Sequence, residues 1–368
     1  MKKYMNVCMT ALCLSGIGSV SQATPIEGFD LCKSGFPLQM TSNVQNYVAQ
    51  GCGALQANNA NQAFEFFNDA VNLLLQQKAM LHYIFMKQFH LLGRAGESQD
   101  LGISPEEVIK NAHEMAGEYQ YAIANKGHLS DEQKIAFCNL RADIRKAMTS
   151  AEDHFVSRCL STRYDSDAPE GPNQIHYLPG YKVPESEMPF APQPQGAEGF
   201  QLCGKHFFFE LTPEAATDVA QGCRAMIARD EMESLLFFTS AFHSVTQQAD
   251  MLSYILLQQV LELNKEPLGS EEVAFLEKVT ENAFDAVHDH MVALGDMDEL
   301  TPALRDVFCN LAVNLMGKVV PNFRDYYTKE SCLGTTFGAS QEPGLKINLR
   351  DESKMINRTI HNVDRFEL

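Results

Sequence analysis

The sequence predicts an all-α protein: two tandem copies of a disulfide-stapled, four-helix bundle-like unit joined by a proline-rich linker. Three observations carry that expectation. Outside the N-terminal segment, eight cysteines fall into two sets of four, Cys32, Cys52, Cys138, Cys159 and Cys203, Cys223, Cys309, Cys332, with gaps of 20, 86 and 21 and of 20, 86 and 23. A shift of 171 residues superimposes the sequence around them. Between helix-start signals the apolar residues recur three and four positions apart, and no convincing alternating strand pattern interrupts them.

The chain divides by composition into residues 1–23, 26–160, 161–196, 197–334 and 335–368. The first segment reads as a secretory signal: Lys2 and Lys3, an apolar stretch from Val7 to Val20, then the small-residue site Ser21-Gln22-Ala23. Neither Cys8 nor Cys13 sits in a lipoprotein cleavage pattern. The expected location is the periplasm or the exterior, where cysteines oxidise.

Segments 26–160 and 197–334 are the two repeats. Glu27-Gly28-Phe29-Asp30-Leu31-Cys32 matches Glu198-Gly199-Phe200-Gln201-Leu202-Cys203, and Val48-Ala49-Gln50-Gly51-Cys52 matches Val219-Ala220-Gln221-Gly222-Cys223. Phe137-Cys138-Asn139-Leu140 recurs as Phe308-Cys309-Asn310-Leu311. Each repeat carries four helix starts. Thr41 or Ser42, and Thr212-Pro213, open the first helix; Asn59 with Gln62, and Asp230 with Glu233, open the second. Ser104-Pro105-Glu106-Glu107 and Ser270-Glu271-Glu272 open the third, and Ser130 with Gln133, and Thr301-Pro302, the fourth. The second helix is apolar over more than one stripe, from Phe64 to Phe85 and from Leu235 to Leu257, which predicts burial on several sides. Seven of the fifteen prolines fall between Pro169 and Pro194, so residues 161–196 read as a semi-rigid linker, and 335–368 as a polar tail.

Four cysteines allow three pairings, and sequence alone does not choose among them. If the fourth helix runs to about Phe155, Cys138 and Cys159 lie roughly 25–30 Å apart at about 1.5 Å per residue, too far for a bond. An up-down bundle instead predicts Cys32–Cys159, Cys52–Cys138, Cys203–Cys332 and Cys223–Cys309. The local pair Cys32–Cys52 requires the segment before the first helix to fold back along it, and a kink near Pro321 would loosen the argument in the second repeat.

Composition also narrows function. Hydrophobic residues make up 45% and charged residues 21%, as in a globular protein. The net charge of −18, made more negative by removal of Lys2 and Lys3, repels phosphate backbones and anionic headgroups. Nucleic acid is therefore not an expected partner, and past the signal no apolar run is long enough for a stable membrane span. Gly-x-Ser-x-Gly, the phosphate-binding P-loop, His-Glu-x-x-His and Cys-x-x-Cys-His are absent from the sequence. His82, Met86 and His90 share a helical face and form a weak copper-like set, but their equivalents are Ser253, Leu257 and Leu261. His288-Asp289-His290 diverges on a helix, because positions i and i+2 point about 200° apart. No metal or other cofactor is expected.

Polar residues kept in both repeats form a candidate set: Gln50/Gln221, Gln76/Gln247, Gln77/Gln248, Tyr83/Tyr254, Gln88/Gln259 and Asn139/Asn310. On buried faces they need hydrogen-bond partners, as a register-fixing network or as the lining of a ligand pocket. The expectation is an exported, non-catalytic binding or interaction protein with a protein partner. The alternatives are a carrier of a small apolar ligand within the bundles, and an enzyme with a site at the junction of the repeats.

Overall fold

The structure is a computed structural model that describes residues 26–92, 104–124, 131–148, 159, 162–163, 176–177, 202–204, 207–264, 269–319 and 328–335. The expected signal cleavage site, Ser130, Pro321, nearly all of the linker and nearly all of the tail lie outside these residues. Among the described residues the protein is all-helical apart from one minimal ladder. The helices are α1 (Ser42–Gln56), α2 (Ala60–Leu91), α3 (Pro105–Ala124), α4 (Asp131–Met148), α5 (Pro213–Ile227), α6 (Glu231–Leu263), α7 (Ser270–Asp296), α8 (Pro302–Val319) and α9 (Lys329–Gly334). Within the proline-rich segment, β1 (Thr162–Arg163) pairs antiparallel with β2 (His176–Tyr177).

Local chemistry explains most of the helix starts. The Asn59 side chain accepts from the Gln62 amide at 3.2 Å, and Asp230 Oδ1 accepts from the Glu233 amide at 3.0 Å. Thr301 Oγ1 accepts from the Leu304 amide at 3.2 Å. At α7 the cap is not Ser270: the Glu272 carboxylate reaches back to accept from the Gly269 amide at 2.7 Å. The short helix α9, which the sequence does not announce, is closed by a capping box between Thr328 and Ser331.

The described residues pack as two units whose boundary lies inside α6 rather than at the linker. One unit takes Gln39–Ala249; the other takes the segment through Leu38 together with the residues from Asp250. In the first unit a single core joins Met80, Phe85 and Phe89 of α2, Ala112 and Tyr119 of α3, and Phe137, Leu140 and Ile144 of α4 to Phe238 and Phe242 of α6. Phe209, just before α5, is buried in the same core and lies 5.7 Å from the Tyr119 ring. Met80, Leu81, Tyr83, Ile84 and Phe85 are all buried, so this part of α2 is covered on more than one side.

In the second unit the N-terminal segment plays the part that Phe209 plays in the first. Phe29 stacks edge-on against Phe308 of α8 at 5.7 Å, and His290 of α7 approaches the same ring at 5.1 Å. Gly28 adopts φ +86°, and a Cβ there would meet Val307 at 2.7 Å, so a larger residue would lift Phe29 off α8. Phe209, ahead of α5, thus lies in a core with α4, and Phe29, ahead of α1, lies against α8.

The disulfides correct the expected pairing. Cys138 joins Cys159, Cys203 joins Cys223, and Cys309 joins Cys332. Cys32 and Cys52 are disulfide-bonded as well. Cys32–Cys159, Cys52–Cys138, Cys203–Cys332 and Cys223–Cys309 are therefore not formed. The expected pairing rests on a fourth helix running to about Phe155; the described helices span Asp131–Met148 and Pro302–Val319, and in both copies the later cysteine lies 5.7 Å, Cα to Cα, from the earlier one. Before α5 the chain folds back, placing Cys203 beside Cys223. Each bridge closes a loop of 20 to 23 residues, worth about 3 kcal/mol in the chain-entropy account.

Two close approaches set the first helix of each repeat on the second. A Cβ at Gly51 would stand 2.8 Å from the buried Phe67 ring, and a Cβ at Gly222 would stand 2.6 Å from the Phe238 ring. Both turns that follow hold a residue in the left-handed region, Asn58 at φ 57° and Arg229 at φ 62°. Gly51→Ala and Gly222→Ala are each expected to destabilise by about 1–3 kcal/mol through overpacking. Gly53→Ala, with nothing within 4 Å, is expected to stabilise by about 0.5–1 kcal/mol, because alanine is the better helix former. Urea unfolding of the three variants checks both signs.

Candidate functional site

The first turn of a helix presents amides that no carbonyl of its own can satisfy. Thr41 and Thr212 stand at the N-cap positions of α1 and α5, yet neither side chain caps its helix. Both hydroxyls are buried without a hydrogen-bond partner. The acceptors come from the opposite repeat: Glu210 Oε2 takes the Asn43 amide of α1 at 2.9 Å, and Gln39 Oε1 takes the Glu214 amide of α5 at 3.2 Å. Residues 39 and 210 are repeat-equivalent, as are 43 and 214, so the exchange is reciprocal.

Around this crossing the candidate glutamines find their roles. Gln248 accepts from the Gln39 amide at 3.1 Å and donates to Glu214 at 3.0 Å and to Ser244 at 3.2 Å. Gln77 hydrogen-bonds Tyr119, whose phenol is pushed up by burial first and by the Glu210 charge second. Gln88 is buried and donates to the Met226 sulfur at 3.3 Å, whereas Gln259 donates at 3.3 Å to the exposed Glu262. Gln76 is buried with its carbonyl unpartnered, Asn310 holds a buried amide nitrogen without an acceptor, Asn139 and Gln221 are half-buried, and Gln50 is exposed. Each of these hydrogen bonds takes a member of the set to a partner outside it.

The two tyrosines are the most regular members. Tyr83 OH donates to Asp143 Oδ2 at 2.5 Å, and Tyr254 OH donates to Asn314 Oδ1 at 2.6 Å, again at equivalent positions. A lysine lies against each ring, Lys87 at 5.7 Å from the Tyr83 centroid and Lys318 at 5.6 Å from that of Tyr254. Lys87 follows Tyr83 along α2, while Lys318 comes from α8. Burial raises both phenols, and for Tyr83 the bond to Asp143 and its charge raise the phenol further, which keeps them protonated donors. Lys87, Asp143, Lys318 and Asn314 were not singled out from sequence. The available signal was Tyr83-x-x-x-Lys87, one helical turn, but its equivalent in the second repeat reads Tyr254-x-x-x-Gln258.

The histidine–methionine triplet does not assemble as a ligand set. Thr246 gives its hydroxyl proton to the Phe242 carbonyl at 2.8 Å, so His82 Nε2, 2.9 Å from the same oxygen, is the donor there. The His82 ring rests 4.9 Å from Phe242, Met86 packs against the core, and His90 is exposed. Among the described residues no group of three His, Cys, Asp or Glu side chains is placed to hold a metal.

The surface carries one sharp difference between equivalent turns. At the last residue of α5 and along the first turns of α6, Ile227, Met232 and Leu236 are 81%, 56% and 64% exposed. Their equivalents are Gln56, Asn61 and Glu65, also exposed. Met232 and Leu236 are four apart and share a helical face. Asp230, Glu231 and Glu233 surround them, and all three are exposed. Among the described residues no helix is long and apolar enough to cross a membrane.

Comparison with protein-family models, with curated proteins and with solved structures found no match.

Reciprocal capping makes opposite demands on the two kinds of residue. Glu210→Ala and Gln39→Ala are each expected to cost about 0.5–2 kcal/mol, the value of a lost N-cap. Thr41→Val and Thr212→Val are expected to be neutral or stabilising, since each removes an unsatisfied hydroxyl. Denaturant titration of the four single variants checks this, and a loss confined to the threonines would reverse the assignment.

Burial also sets an acid limit. It lowers His290 from 6.5 to about 4, and it lowers His82, with Lys78 adding to the effect. Below pH 6.5 the unfolded chain takes up the proton and the folded one does not. Stability is therefore whole above pH 6.5 and falls as the pH drops through the window down to about 4. At about 1.4 kcal/mol per unit, His290 accounts for up to about 3 kcal/mol of that loss. His290→Tyr, which copies its equivalent Tyr119, is expected to narrow the difference between urea curves at neutral and acid pH.

Proposed function

We propose that this chain is an exported, non-catalytic binding protein built from two copies of one disulfide-stapled helical unit, and that it takes a protein partner on the α5–α6 turn. The observation that carries the reading is the apolar trio Ile227, Met232 and Leu236, exposed where the equivalent turn has Gln56, Asn61 and Glu65. Exposed apolar side chains that cluster mark interaction surfaces more often than isolated ones do. The occupant is an apolar segment with a basic flank, because the exposed charges between and beside the trio, Asp230, Glu231 and Glu233 against Arg229, are acidic on balance. A membrane surface fits less well, since a chain of net charge −18 is repelled by anionic headgroups.

The doubled architecture is supported by contacts that recur at equivalent positions: Gly51 on Phe67 and Gly222 on Phe238, the left-handed turns at Asn58 and Arg229, and the phenol bonds of Tyr83 and Tyr254. Export is supported by the N-terminal signal pattern and by the disulfides, which persist in oxidising compartments.

A photo-crosslinking residue placed at Leu236 of the full chain in its native host tests the partner. The expected result is one discrete protein adduct at position 236, none at the equivalent Glu65, and loss of the adduct in an Ile227→Lys, Met232→Lys background that unfolds like the parent. Adducts only with lipid, or equal labelling at both positions, would overturn the reading.

A further inference from the structure

The faces of α2 and α4 around Tyr83, and of α6 and α8 around Tyr254, supply an internal comparison. In the first, the Asp143 carboxylate accepts from Tyr83 OH at 2.5 Å and pairs with Lys87 Nζ at 3.1 Å. One anion therefore serves both the phenol and the cation. In the second, position 314 is asparagine, and the amide takes the phenol proton but brings no negative charge. The cation remains. Lys318 Nζ has only the Gln258 carbonyl, at 2.5 Å, as its direct acceptor among the described residues. Burial lowers the Lys318 ammonium, opposed by the charge of Glu262. Glu262 stands one turn beyond Gln258, is exposed, and accepts from Gln259.

Donor counting sharpens the contrast. Gln258 is 5% exposed, and because its carbonyl is held by Lys318 its amide nitrogen is fixed as a buried donor without an acceptor. Asn310, one turn before Asn314 on α8, holds a second such nitrogen. Residues 310, 314 and 318 fall at i, i+4 and i+8, so these groups lie along one face of α8. Unsatisfied buried donors are costly, and the Gln258 nitrogen, on the same amide whose oxygen meets the Lys318 ammonium, marks a place short of an acceptor.

We propose that the α6–α8 face binds an external carboxylate, held by Lys318 Nζ and Gln258 Nε2, in the role that Asp143 fills internally on the α2–α4 face. Lys318 is exposed, so the carboxylate meets its ammonium first and reaches the buried Gln258 Nε2 as the Lys318 side chain moves aside. Its source is a small free acid or a peptide C-terminus, two bearers of the same group.

The test uses the full oxidised chain in chloride buffer, with the Gln258 side-chain amide followed by NMR. Sodium propionate, a short peptide with a free C-terminal carboxylate, and the same peptide amidated are titrated separately against a sodium chloride control. A saturable shift at Gln258 with propionate or with the free peptide, and none with the amidated peptide, is the expected result. Peptide binding about tenfold or more tighter than propionate assigns the site to a chain terminus, and comparable binding assigns it to a small acid. Asn314→Asp supplies the carboxylate from within, as Asp143 does, and is expected to abolish the response while the chain stays folded. Lys318→Met is expected to abolish it as well. No saturable shift beyond the chloride control, or an undiminished response in Asn314→Asp, would overturn the proposal.

Discussion

The first turn of a helix leaves amides that find no acceptor within the helix itself, and a side chain that caps them is worth about 0.5–2 kcal/mol. At α1 and α5 the nearby threonines turn their hydroxyls inward, and the acceptors come instead from Glu210 and Gln39, far away along the chain. This arrangement constrains much else in the Gln39–Ala249 unit. The segment ahead of α5 has to lie where Glu210 can reach α1, and that brings Phe209 into the core beside Tyr119. The residue ahead of α1 has to lie where Gln39 can reach α5, and there its own amide is taken by Gln248. Neither first helix is complete on its own repeat. The units of packing consequently cut across the units of sequence.

Such an exchange also explains what could and could not be read from the residues. Starts governed by a side chain three positions from its target were legible: Asn59 to Gln62, Asp230 to Glu233, Thr301 to Leu304. Thr41 and Thr212 carry the same local signal and do not act on it, because a competing acceptor arrives from outside the window any local reading can inspect. The cysteine spacings revealed a repeat, but their pairing depended on where the fourth helix stops, and helix ends are the least legible feature of a helical sequence. Gly51 and Gly222 matched in the alignment, yet nothing local said that a phenylalanine ring would lie against them. Gln77/Gln248 and Tyr83/Tyr254 are identical at equivalent positions and so stand out in the sequence. Gln39/Glu210 and Asp143/Asn314 do not, because the place is kept and the chemistry altered.

Equivalent positions that agree and those that differ therefore carry separate kinds of information. Agreement at the glycine–phenylalanine approach, the left-handed turn and the phenol bond follows from the geometry of one helix lying on another. Such positions change only at the expense of packing, and they say little about a partner. The exposed turn is different, because no packing demand explains why Ile227, Met232 and Leu236 stand in water where Gln56, Asn61 and Glu65 serve equally well for folding. An apolar side chain kept at such a place gains nothing from the fold that displays it.

The lysine beside each tyrosine carries this distinction one step further. Lys87 and Lys318 are not equivalent residues and do not come from equivalent helices, yet each stands within 6 Å of the ring centroid of its tyrosine. A cation over an aromatic face is favourable wherever it originates, so the geometry can persist while the residue supplying it changes. Charge balance has no such freedom. On α4 a carboxylate answers the cation; on α8 the corresponding side chain is a neutral amide, and Glu262, whose charge acts on Lys318, is exposed to water on another helix. Each face sets a lysine over a tyrosine, and among the described residues they differ in whether a carboxylate of the chain pairs directly with that lysine. That difference does not follow from helix packing, because the phenol finds an acceptor in both. It has a physical rationale if the second face receives its anion from outside.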